Sequence, residues 1–162
     1  MLRTPMALCG GTLLLAIVAA APVQADELPI RKAGLWETKN STAGATTRLC
    51  VDAAFEKTNG MLMMEKEMCS KLDIRKTANG YTVDAAECNV VAGMVVTSRS
   101  EISGDFNSAY TVTVTSRTQG GLAGKEISET ITTIQAKWLG ACPADWKPGD
   151  IELPGGKKIN LM

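Results

Sequence analysis

Four methionines, Met61, Met63, Met64 and Met68, fall within eight residues of a 162-residue chain. Thioether sulfur is a soft donor suited to Cu(I), so this cluster is the candidate for metal chemistry. The chain has no histidine, which removes the usual partner ligand. The competing reading is packing. Unbranched Met fills irregular gaps where a short helix covers a sheet, and it also lines adaptable apolar binding surfaces. Packing is preferred and no cofactor is expected. Met61, Met64 and Met68, together with Trp36, are the candidate binding residues, and the four methionines form the alternative Cu(I) set.

Without histidine, Ser-His-Asp and Cys-His arrangements are impossible. Gly120-Gly121-Leu122-Ala123-Gly124 lacks the Lys-Ser/Thr of a phosphate loop and reads as a hairpin connection. Glu126/Glu129 and Asp84/Glu87 read as solvated strand residues. A hydrolase would need two such acids converging in one cleft, which their spacing does not indicate. No catalytic residues are assigned, and the expectation is a non-enzyme.

Five cysteines occur. Cys9 lies in an N-terminal stretch with the marks of a secretory signal peptide: Arg3, an apolar run from Ala7 to Ala21, and the small-x-small site Val23-Gln24-Ala25. Leu8 stands where a lipidated Cys9 would want a small residue. Cleavage after Ala25 leaves residues 26–162 as one domain, periplasmic or secreted, with no membrane-spanning segment. The signal removes one of 17 cations and none of the 17 acids. The remainder has no basic stripe, so nucleic acid is not an expected partner. Cys50, Cys69, Cys88 and Cys142 are an even set in an exported chain and read as two disulfides. Zinc is disfavoured by the wide spacing and the missing histidine. Three connectivities are open. Cys50–Cys69 with Cys88–Cys142 is the expected one, the first stapling a helical insert to its flanking strands.

The elements that position these groups are mainly strands. Tyr110, Val112 and Val114 alternate with Thr111, Thr113 and Thr115, the period of a strand with one buried face. With Met94–Ile102 before it and Gly104-Asp105-Phe106-Asn107 as turn, this is a long hairpin. Leu35–Val51 reads as a first hairpin. Leu72–Lys76 and Tyr81–Ala85 read as another around Asn79-Gly80, a type I′ signal. Asp52 is a helix N-cap, and a broken helix or two short ones cover about residues 52–68. A last strand spans about 126–138. Its apolar set switches from Ile127/Ile131 to Ile134/Ala136/Trp138, which predicts a bulge near Thr132-Thr133. Residues from about 143 to 162 are turn-rich and predict an appended tail. The fold class is mainly β, a curled antiparallel sheet or partial barrel of about seven strands with one short helical insert.

Gly34-Leu35-Trp36 resembles the G-x-W start of lipocalins and other calycins. That likeness implies a late basic residue packed on the Trp, for which Lys137 is the candidate. A second resemblance spans nearly the whole mature chain. Gly34-Leu35-Trp36-Glu37, paired cysteines around a helical insert, Ser103-Gly104-Asp105-Phe106 leading to Tyr110, and Trp138-Leu139-Gly140-x-Cys142-Pro143 resemble the small exported proteobacterial proteins of domain of unknown function 3617. The resemblance implies an exported antiparallel β domain with two disulfides and carries no activity. The expectation is an uncharacterised envelope-associated or binding module contacting a small apolar ligand or another envelope protein. Cu(I) handling and an unrecognised hydrolase stand as alternatives.

Overall fold

The computed structural model describes residues 27–91, 93–120 and 127–162. The expected signal segment, Cys9, Gly121–Gly124 and Glu126 lie outside them. One antiparallel sheet of nine strands dominates: β1 (Gly34–Asn40), β2 (Ala45–Val51), β3 (Cys69–Thr77), β4 (Gly80–Val91), β5 (Met94–Gly104), β6 (Ala109–Gly120), β7 (Ile127–Gly140), β8 (Asp150–Glu152) and β9 (Lys158–Asn160). Their spatial order is β3-β4-β5-β6-β7-β1-β2-β8-β9. The two ends of that order do not pair, so the sheet is open. The count exceeds the seven expected because the stretch from 143 onward is not only a tail. It adds β8 to the edge of β2 and folds β9 back on β8.

Between β2 and β3 lie two short helices, α1 (Ala53–Asn59) and α2 (Met63–Met68). Asp52 caps α1, its carboxylate accepting the Phe55 N–H at 2.7 Å. This connection carries the chain from β2 across to the opposite edge of the sheet. Among the described residues no helix is long and apolar enough to cross a membrane.

The alternation in β5 and β6 sorts the sheet's two faces. Ile102, paired with Val112, turns inward with Tyr110 and Ala136. Arg99, Glu101, Thr113 and Arg117 turn outward, and that face carries cross-strand ion pairs, including Arg99–Asp84 at 3.0 Å and Arg117–Glu129 at 2.7 Å. The inner face holds the core: Trp36, Val51, Phe55, Ile74, Val83, Ile102, Phe106, Tyr110 and Ala136.

Three local expectations are corrected. The β3–β4 turn is Ala78-Asn79, because Thr77 pairs with Gly80, and Asn79 does not take the positive φ of a type I′ turn. β6 runs on to Gly120, past Thr115 where its clear alternation ends and into the first residue of the expected hairpin connection. β7 keeps one register along β6, with no bulge at Thr132-Thr133. Ile131 is simply exposed, so its end of β7 need not turn inward. The irregularity lies at Leu139, where Leu35 pairs with Gly140 and Trp36 with Trp138.

The disulfides are Cys50–Cys142 and Cys69–Cys88, not Cys50–Cys69 and Cys88–Cys142. Strand order is the reason. β1 sits between β2 and β7, and Leu35 pairs with both Cys50 and Gly140, which delivers Cys142 to Cys50. Cys69 begins the far edge strand, directly opposite Cys88. The helical insert is a crossover between distant strands, so no bond can staple it to both.

Candidate functional site

Before β1 the chain forms a leader, residues 27–33, which lies against the inner face. Lys32 N–H donates to Phe106 O at 2.8 Å, and the Trp36 indole N–H donates to Lys32 O at 2.8 Å. Lys32 in turn lies over the Trp138 ring, its ammonium 3.6 Å from the centroid. Arg31 is buried. Its Nε donates to Glu56 Oε1 of α1 at 2.8 Å, a second guanidinium nitrogen contacts the same oxygen, and a third reaches Tyr110 Oη at 3.4 Å. Burial opposes the charge on Arg31, but Glu56 and Tyr110 outweigh it and hold the guanidinium above its ordinary value. The Tyr110 hydroxyl is pushed up, chiefly by burial.

Two clefts open on either side of the leader, and Pro29 and Ile30 line both. The first, about 330 Å³, lies between the leader, α1, the 60–62 link and β3. Leu28, Met61, Leu62 and Ile74 supply apolar walls, and Lys57 and Lys66 reach it from the exposed sides of the helices. The second, about 560 Å³ and shallower, runs over the tips of the β3–β4 and β5–β6 hairpins past Tyr81 and Phe106. Those two rings meet edge to face, with centroids 6.1 Å apart.

The structure separates the candidate binding residues. Trp36 is wholly buried, tilted against Tyr110 at 5.4 Å, and presents no surface to a ligand. Met61 packs on the core and faces the first cleft. Met68 ends α2 and is half-buried beside the Cys69–Cys88 bridge. The side chains of Met63 and Met64 lie outside the described residues. Lys137 does not pack on Trp36. It pairs with Glu37 and points to the other face, because Trp36 and Trp138 occupy the inward positions of the same ladder. Of the acids weighed from sequence, Asp84 meets Arg99, Glu87 meets Lys71 and Ser70, and Glu129 meets Arg117. Each is engaged by a neighbouring strand rather than aimed into a cleft.

Arg31 and Glu56 were not legible as a pair, since charged residues carry no burial signal and 25 positions separate them. Asp52 three positions before Phe55 did mark the helix that holds Glu56.

Residues 31–142 match the model of a family described as Protein of unknown function (DUF3617). The chain belongs to this family. No curated protein and no solved structure matches it. The DUF3617 region begins at Arg31, which the Glu56 pair buries, and ends at Cys142, which is bonded to Cys50. Both limits of the family region are therefore tied into the fold, and β8 and β9 are an addition beyond it.

Proposed function

We propose that this DUF3617 protein is exported to the periplasm or secreted, and that it acts there as a non-enzymatic binding module. Its ligand is a small amphipathic molecule with an apolar body and an anionic end, seated in the cleft between the leader and the helices. The cleft carries the proposal. At about 330 Å³ it is of ligand size, Leu28, Met61, Leu62 and Ile74 give it apolar walls, and with Glu56 held by Arg31 its remaining charged lining is Lys57 and Lys66 against Glu27. Apolar walls with a few charged groups at the opening orient a molecule of that kind. Export is supported by the two disulfides, which persist in oxidising compartments, and by the signal-like N-terminal sequence. The non-enzymatic reading is supported by the missing histidine and by acids committed to ion pairs.

The test uses anilinonaphthalene sulfonate, an anionic amphiphile, as probe. Saturable uptake is expected at one site, lost in Leu62→Glu and weakened in Lys57→Glu/Lys66→Glu. Uptake indifferent to these changes overturns the cleft as the site. Native mass spectrometry of protein recovered from the periplasm then reads the natural occupant. An adduct of lipid size supports the proposal, whereas a co-purified protein seated elsewhere makes this a partner-binding module instead.

A further inference from the structure

We propose that the free edge of β3 pairs with β3 of a second copy of this chain, antiparallel, with Ile74 opposite Ile74, joining two sheets into one across a twofold axis. β3 ends the strand order and spans nine residues, Cys69–Thr77, with β4 as its only strand partner among the described residues. Thr77 and Gly80 flank a two-residue turn as a hydrogen-bonded pair. Hydrogen bonding in an antiparallel ladder alternates, so Arg75 and Asp73 bond to β4 while the backbone groups of Ile74 and Leu72 point to the edge. These are the groups a further strand needs.

The charges select the partner. Asp73 and Arg75 flank Ile74 on the outer face, contact one another, and are both well exposed. With Ile74 opposite Ile74, Asp73 of each copy stands opposite Arg75 of the other. Moving the axis to Asp73 would set Asp73 against itself and Lys71 against Arg75. Moving it to Leu72 would draw on Lys71, which is already held by Glu87 at 2.6 Å. A charged edge turns away an arbitrary strand, but this order of charges is complementary to its own copy. On the inner face Ile74 would face Ile74 of the other copy, and Leu72 would stand opposite Lys76, whose methylene stem can lie along it. The pairing uses the end of β3 away from α2, which leads directly into Cys69.

Sedimentation equilibrium of the full chain at about 100 μM tests this. The expected result is a reversible dimer. Asp73→Arg and Arg75→Asp should each weaken it about tenfold or more, since each sets like charges face to face. Mixed in equal amounts, the two variants should form a heterodimer near wild-type affinity, because two arginines on one strand then face two aspartates on the other. That rescue separates a pairing defect from a folding defect. A monomeric wild type, or a dimer indifferent to both reversals, overturns the proposal.

Discussion

Arg31 in the leader and Glu56 in α1 form an ion pair sealed from solvent, with side-chain exposures of 7% and 4%. Tyr110 of β6 closes the guanidinium's third side. Three elements that share no backbone ladder thus meet at one charged point inside an apolar core.

Removing one partner leaves the other charge buried and unpaired. Arg31→Met or Glu56→Leu should each cost about 3–5 kcal/mol, and the double replacement should cost less than either alone. Urea denaturation of the three variants measures this. A double variant no better than the worse single one would show that the pair has no mutual compensation.

The two disulfides differ in the loops they close, 92 residues for Cys50–Cys142 and 19 for Cys69–Cys88. On the chain-entropy model the long bridge contributes about 4–5 kcal/mol and the short one about 3. Replacing Cys50 and Cys142 by serine should therefore lower the melting temperature more than replacing Cys69 and Cys88. Peptide mapping under non-reducing conditions should recover Cys50 linked to Cys142.

Asp150 anchors β8–β9. It accepts the Asn160 side-chain amide at 2.7 Å and the Lys147 N–H at 2.8 Å. The Asn160 bond, then the Lys147 N–H, hold its carboxyl below the ordinary 3.8. A carboxyl depressed in the fold stabilises in full well above its unfolded value, and that contribution decays as pH falls through and below it. Acid should therefore loosen the C-terminal hairpin. The protection factor of the Leu161 amide, which donates to Gly149 O, should fall on acidification. Asp150→Asn should flatten that dependence.

Gly80 has φ +150°, and a Cβ there would lie 1.9 Å from Ile102 O. Gly80→Ala must push β4 from β5 and should cost more than about 2 kcal/mol. Gly44, with φ +60° and open space around it, should cost only about 1 kcal/mol on the same change. Equal denaturation midpoints for the two variants would contradict the close approach.

Local order was legible in the chain, and long-range order was not. The alternation of Tyr110, Val112 and Val114 and the Asp105 turn mark β5–β6, and Asp52 marks α1, because each depends on neighbours a few positions away. Strand order is another matter. Nothing in Leu35-Trp36-Glu37 says that β1 enters between β2 and β7, and the Cys50–Cys142 bond follows from that placement. In the sequence Trp36 reads as a binding residue because an aromatic in a strand is ambiguous until its cover is known, and here the leader and Tyr110 cover it. β8 and β9, three residues each, are too short for a period to declare itself.

The β1–β7 ladder has a mechanical meaning. β3 to β7 form one unbroken meander, each strand beside its predecessor, and β1, β2, β8 and β9 form a second run. The Trp36–Trp138 ladder is the only strand pairing that joins the two runs in the described sheet. The molecule is in effect two separately woven panels sewn along one seam. Cys50 belongs to one panel and Cys142 follows the last strand of the other, so their bond acts as a rivet at the seam's end. Reduction would remove the rivet and leave the backbone ladder and the Trp36–Tyr110 contact to hold the two panels together.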